Sequence, residues 1–173
     1  MTNRRMLLRS ATRADARRVH ALITAHLEEG HLLPRTLDEV VVHAERFVVA
    51  VRGRTIVGCA ELAPLSPQVA EVRSLAVECR TRGLGVGTMI VDELRQRARR
   101  EGFEKLCAFT HAPAYFSQMG FSIVPHLWVP EKVFIDCVKC PSFRKCGQFA
   151  MIVPLEPATE TVDRPATIAL RLA

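Results

Sequence analysis

The run Glu71-Val72-Arg73-Ser74-Leu75-Ala76-Val77, followed after a short connection by Arg82-Gly83-Leu84-Gly85-Val86-Gly87, decides the fold. The first segment reads as a strand. The second opens a helix with Val86, Ile90, Leu94 and Ala98 on an inner face and Arg95, Arg99 and Arg100 expected outside, as a solvated basic face. Unpaired N–H groups at a helix start point outward, and the helix dipole favours an anion there. Glycines let backbone come close to a phosphate. On the turn alone, a phosphate cradle and a plain tight connection both fit. The spacing is not GxGxxG, and the surrounding elements are in the wrong order for a dinucleotide-binding Rossmann unit.

Working outward, Met6 to Ser10 reads as a first strand. Thr12-Arg13-Ala14-Asp15 then has the form of a capping box, with Val19, Leu22, Ile23 and Leu27 at helical spacing and Gly30 as the stop. Thr36-Leu37-Asp38-Glu39 repeats the cap for a shorter helix to about Ala44. Phe47 to Val51 and Thr55 to Leu62 flank Arg52-Gly53-Arg54 as a hairpin, and Val69 to Val77 is the next strand. After the glycine turn and its helix, Lys105 to Thr110 is a strand and Pro113 opens a short helix ending at Gly120. Phe121 to Val124 and Ala150 to Leu155 complete the strands, with 130–146 between them as a loop. This order predicts an α+β sandwich, a mixed sheet with helices on both faces.

A chain of 173 residues suits one domain, 1–173, with a core over about 5–155 and a tail over 156–173. No apolar run approaches the roughly 20 residues that cross a bilayer, so no membrane partner is expected. Met6-Leu7-Leu8 is too short for a signal-peptide core, and a cytoplasmic protein is expected. The net charge of +6 suits an anionic cofactor, an acidic substrate or nucleic acid. The arginines are scattered and aromatics are few, which argues against nucleic acid. Cys59, Cys79 and Cys107 read as small core residues, whereas Cys137, Cys140 and Cys146 cluster in one segment.

Arg82-x-x-Gly85-x-Gly87 resembles the (Q/R)xxGx(G/A) signature of the GNAT acetyltransferases. Glu71 to Val77 looks like their fourth strand, and Tyr115-Phe116-Ser117-Gln118-Met119-Gly120-Phe121 is similar to their helix-then-Gly-Phe motif. The resemblance implies a three-layer sandwich, acetyl-CoA as co-substrate and transfer of acetyl to a small-molecule amine, with a homodimer allowed for. It implies a strand that splays from its neighbour so that Leu75 and Val77 face pantetheine. The N–H groups of Arg82, Gly83, Leu84, Gly85, Val86, Gly87 and Thr88 would then meet the pyrophosphate.

The transfer needs a neutral amine and a polarised carbonyl. Glu71 stands where some family members place a base, with a Glu71–Arg73 salt bridge as the alternative. Backbone N–H of Leu75 or Ala76 is the natural oxyanion donor. The family often has an acid tyrosine four residues before the Gly of Gly-Phe. Here that position is Phe116, with Tyr115 one earlier, so Tyr115 is acid, core or substrate wall.

Residues 130–146 resemble the C-terminal stretch of short bacterial N-acetylglutamate synthases, with Lys132 and a DCxxCPxFxxC pattern. That implies the α-amine of L-glutamate as acceptor, in the first step of arginine biosynthesis. The two carboxylates of glutamate ask for cations, and Arg73 and Lys132 are the candidates. Cys137, Cys140 and Cys146 offer soft ligands for a structural Zn, with His126 or Asp136 as a fourth, or are reduced thiols. Another GNAT acceptor such as glutamine, or a non-enzymic acyl-CoA sensor, are the competing readings.

Overall fold

A computed structural model describes residues 6–29 and 32–156, without the side chain of Arg144; the helix stop at Gly30 and the tail from 157 lie outside them. Strands β1 (Met6–Ser10), β2 (Phe47–Arg52), β3 (Thr55–Pro64), β4 (Val69–Val77), β5 (Lys105–Thr110), β6 (Ser122–Val124) and β7 (Phe149–Pro154) form one mixed sheet. Its order is β1-β2-β3-β4-β5-β7-β6. The β4–β5 pair is parallel and the other neighbours are antiparallel. The helices are α1 (Ala16–Ala25), α2 (Leu37–Val42), α3 (Val86–Arg100), α4 (Pro113–Ser117) and α5 (Pro130–Ile135). Among the described residues, no helix is long and apolar enough to cross a membrane.

Both capping boxes close. The Thr12 N–H donates to Asp15 Oδ2 at 2.8 Å, and the Thr36 N–H to Glu39 Oε2 at 2.7 Å. Arg9 of β1 adds two bonds to the Asp15 carboxylate, at 2.7 and 2.9 Å, tying the first strand to the first helix.

Helices cover both faces, as the element order requires. On one face, Ile90, Leu94 and Ala98 of α3 pack on Val48, Leu62, Ala70 and Val72. On the other, Val19, Ile23 and Val40 of α1 and α2 pack on Phe47, Val49, Cys59 and Ala76. Strand alternation sorts these sets without further instruction.

Three expectations are corrected. Arg95 and Arg99 are half-buried instead of solvated. Arg95 donates to the Met119 carbonyl and lies 5.4 Å from the Phe121 ring centroid, so it clamps α3 to the turn after α4. Residues 130–135 form a helix where a loop was expected, with proline at its start and Glu131 in the first turn. Cys79 is exposed, because the strand ends at Val77 and its turn lies outside the core.

Two irregularities in β4 make room for a site. The β4–β5 ladder covers only Val69–Glu71 against Lys105–Cys107, after which the strands part. Against β3, Arg73 pairs with Glu61 and Ala76 with Cys59, so Ser74 and Leu75 oppose Ala60 alone. This is a bulge, and Ser74 takes the left-handed conformation, φ 54°, that such a bulge asks of one residue. The extra residue shifts the alternation. Val72 faces α3 before the bulge, and Leu75 and Val77 face it afterwards.

Candidate active site

Where β4 and β5 part, a cleft of about 470 Å³ opens. Its walls include Ser74 to Val77 of β4, Arg82, Gly83 and Gly85 to Thr88 of the turn, and Phe109 to Ala112 with Tyr115 opposite. Gly83 and Gly85 have φ of +76° and +75°, which side chains with a Cβ rarely adopt. They turn the chain sharply so that the N-terminus of the 15-residue α3 faces the cleft. Gly87 has another reason. A Cβ there would lie 2.5 Å from Tyr115 Oη.

Tyr115 lines this cleft, and its hydroxyl is hydrogen-bonded with Thr88. Burial pushes its phenol above the usual value, so it stays protonated at neutral pH. Its neighbour Phe116 is buried, edge-on to both Tyr115 and Phe121. The one-residue offset therefore puts the aromatic ring in the core and the hydroxyl in the cleft. The Arg82 guanidinium is held by Glu29, with both carboxylate oxygens within 2.8 Å of Nη2, and its Nε donates to the Val77 carbonyl at 3.2 Å.

On the opposite face of the sheet, Glu71 and Arg73 share one side, as alternation predicts, and meet α5. Glu71 is 3% exposed. Lys132 Nζ lies 2.8 Å from its Oε1 and 2.9 Å from its Oε2, and Arg73 Nε donates to Oε2 at 2.7 Å. Asp136 closes the ring, taking bonds from Arg73 at 2.5 Å and Lys132 at 2.9 Å. Burial pushes the Asp136 carboxyl up, but the Lys132 hydrogen bond and the Arg73 charge outweigh it and hold it below the ordinary range. Lys132 and Asp136 are four apart, so α5 and its C-cap residue together present both on one side.

Beside this ring, fully buried Glu61 lies cross-strand from Arg73. Arg35 donates to its Oε2 at 2.9 Å, and His43 Nδ1 lies 3.0 Å from Oε1. His43 Nδ1 is also 3.2 Å from Arg35 Nη2, and it cannot both accept from Arg35 and donate to Glu61. Phe109 joins the cleft to this charged basin of Glu71, Arg73, Lys132 and Asp136. It lines the cleft, while Lys132 Nζ sits 5.6 Å from its ring centroid and His126 packs against it.

A cleft at a strand split, closed by a glycine turn and a helix N-terminus, has relatives. The acetyltransferase (GNAT) family profile matches residues 11–121. The chain belongs to the GNAT acetyltransferase family. The uncharacterized N-acetyltransferase CT2212 of Chlorobaculum tepidum is 29% identical over 148 residues, covering 86% of this chain and 96% of that protein. An amino-acid acetyltransferase of Pseudomonas putida is 31% identical over 118 residues, 67% of this chain and 27% of its own length. This GNAT chain thus spans less than a third of the amino-acid acetyltransferases that it matches. The solved N-acetylglutamate synthase from Neisseria gonorrhoeae, complexed with coenzyme A and N-acetyl-glutamate, superposes with a TM-score of 0.80 at 23% identity. That match covers 88% of this chain and 35% of that one. Rv2747 from Mycobacterium tuberculosis, in complex with CoA and NLQ, gives 0.74 at 22% identity over 87% and 99% of the two chains. At these identities the likeness is one of fold.

The structure sorts the candidate residues of this GNAT acetyltransferase into two places. Leu75 to Val77, Arg82, Gly83, Gly85 to Thr88 and Tyr115 line the cleft. Leu84, from the same turn, is exposed. Glu71, Arg73 and Lys132 form the basin behind the split, and Asp136 binds them instead of standing ready for a metal. The thiols of Cys137, Cys140 and Cys146 do not converge as a ligand set; among the described residues, the group of three that does is His26, Glu29 and Cys79. Glu61 was open to notice as the one charged residue in Gly58-Cys59-Ala60-Glu61-Leu62-Ala63. Arg35, His43 and Phe109 carried no comparable signal.

Proposed function

We propose that the chain transfers the acetyl group of acetyl-CoA to the α-amine of an acidic amino acid, with L-glutamate as the favoured acceptor. The observation that carries this reading is the convergence of Arg73 and Lys132 at the β4–β5 split, directly behind the cofactor-shaped cleft. The glycine turn and α3 N-terminus receive the cofactor's phosphates, and pantetheine runs along Leu75 and Val77. Amino-acid acetyltransferases among the relatives, and a synthase of the same fold bound to coenzyme A and N-acetyl-glutamate, support the acceptor class.

In this reading the neutral amine attacks the thioester carbonyl carbon. The oxyanion is met by backbone N–H groups at the Ser74–Ala76 bulge, whose extra residue is free of the β3 ladder. Collapse forms the amide and releases coenzyme A as thiolate, a leaving group that needs little assistance. The ammonium proton leaves earlier, to water, and the second proton on nitrogen leaves the tetrahedral intermediate through water, ending on solvent or on the departing thiolate. Glu71 serves to hold the two cations, since both its oxygens already accept from them. Tyr115, pinned over Gly87 and Thr88, serves the phosphate end of the cleft.

A second reading, glutamine or another amino acid of lower negative charge, is favoured by one observation. Arg35, Arg73 and Lys132 are matched by Glu61, Glu71 and Asp136, so the basin is not strongly positive. Coenzyme A release measured across glutamate, glutamine, other amino acids and polyamines, on wild type and Arg73→Ala, tests both. Glutamate turnover that collapses in Arg73→Ala is expected. Preferred glutamine turnover selects the second reading, and an absence of coenzyme A release with every amine tried removes both.

A further inference from the structure

We infer that His26, Glu29 and Cys79 form a binding site for a divalent cation of borderline softness, of the Zn²⁺ type, at the mouth of the cofactor cleft. One donor atom from each lies within 4.8 Å of the others. They come from two separate pieces of chain: the C-cap of α1 with the tight turn that follows it, and the turn after β4. An imidazole, a carboxylate and a thiol are the mixture that suits this class of ion, whereas Mg²⁺ and Ca²⁺ take oxygen ligands.

The second observation concerns His26 itself, which is 6% exposed. Its Nδ1 lies 2.7 Å from the Leu22 carbonyl oxygen and its Nε2 lies 2.9 Å from that of Val77. Both neighbours only accept hydrogen bonds. A neutral imidazole has one N–H, so one ring nitrogen donates to its carbonyl and the other turns a lone pair toward an acceptor. A cation on that nitrogen, a proton or a metal ion, relieves the two facing lone pairs, and the neighbouring carboxylate and thiol are what favour the metal. One ring N–H on a main-chain carbonyl is also the usual support for a histidine whose other nitrogen binds metal. The Val77 oxygen does not depend on the ring, since Arg82 Nε also donates to it.

Glu29 and Cys79 are accessible enough to complete the site. Both Glu29 oxygens contact Arg82 Nη2, and since a carboxylate oxygen has two lone pairs, that contact does not bar the carboxylate from an ion. Cys79 is exposed and free. Three ligands leave the fourth tetrahedral position to water or another donor, and His26 and Glu29 also line the cleft.

The test uses the full chain, reduced and stripped with chelator, then titrated with Co²⁺ as a spectroscopic stand-in for Zn²⁺. The same titration is run on Cys79→Ser and on Cys137→Ser/Cys140→Ser/Cys146→Ser. One Co²⁺ per chain with a thiolate-to-metal charge-transfer band is expected. The band should survive in the triple variant and vanish in Cys79→Ser, with affinity at least about tenfold weaker. Zn²⁺ should displace it. No thiolate band in the wild type, a band that persists in Cys79→Ser, or one that disappears in the triple variant overturns the assignment. Because Cys79 is exposed, its serine variant tests the site without disturbing the core.

Discussion

Replacing Gly87 by alanine isolates one contact that shapes the cofactor cleft. Alanine fits the family signature at this position, so generic reasoning expects a silent or stabilising change. In a helix interior the exchange would gain about 0.8–1 kcal/mol. Here the new Cβ falls 2.5 Å from Tyr115 Oη, and the phenol must move. Moving it gives up the hydrogen bond with Thr88, roughly 0.5–1.5 kcal/mol, so the two effects nearly cancel in stability. The consequence belongs instead to cofactor binding, because the displaced ring has the cleft to move into. In Tyr115→Phe the same Cβ meets only the ring carbon at 3.5 Å and Val77 Cγ2 at 3.6 Å, which is ordinary contact. The assay is a double-mutant cycle on the KM for acetyl-CoA, with urea denaturation alongside. A coupling of about 0.5–3 kcal/mol is expected, roughly 2- to 150-fold in KM, with Gly87→Ala harmful only when the hydroxyl is present. Equal effects in both backgrounds would refute the placement of Tyr115 over the turn.

Other changes probe the basin and the thiols. Lys132→Met leaves buried Glu71 with Arg73 alone; the urea midpoint should fall by the equivalent of about 3 kcal/mol, and Lys132→Met/Glu71→Gln should recover most of it. The folded state holds the Asp136 carboxyl below its ordinary range. Its contribution is therefore complete above that range and is lost as pH falls through the lowered value. Asp136→Asn should melt below wild type near neutral pH, with the gap closing in strong acid; a gap independent of pH would contradict the ion pairing. Burial pushes the Cys59 thiol up to about 12 and raises that of Cys107 as well. A thiol reagent at pH 8 should therefore label four of the six cysteines in the native protein, Cys137 more slowly than Cys79, Cys140 and Cys146.

What was legible in the chain was what its local chemistry dictates. The cap pairs Thr12–Asp15 and Thr36–Glu39, the apolar stripe of α3 and the positive-φ glycines each depend on neighbours a few residues away. The basin depends on partners far apart in sequence. Lys132 and Glu71 meet only because α5 lies under the β4–β5 split, and α5 itself was masked by the cysteines that follow it and by its short run of apolar residues. The bulge at Ser74 was hidden because the residue there is not a glycine. Tyr115 turned on a rotation of about 100° per helical residue, which a coarse reading of α4 leaves open.

The charged basin is also the feature that stability explains least. A buried ion pair rarely improves on apolar packing of the same volume, because desolvation offsets the attraction. Between the apolar clusters under α1 and under Val129, this face nevertheless buries Glu61, Glu71 and Lys132 with Arg35 and Arg73 beside them. Apolar side chains would have held β3, β4 and α5 together at lower cost. The ring orders two long cationic side chains in advance, so that an incoming carboxylate does not have to. An acceptor that brings its own negative charge can exchange with Glu71 or Asp136 as the partner of Arg73 and Lys132. Under the proposed function, that exchange, set at the gap through which the cleft opens on Phe109, would distinguish a binding site from a structural staple.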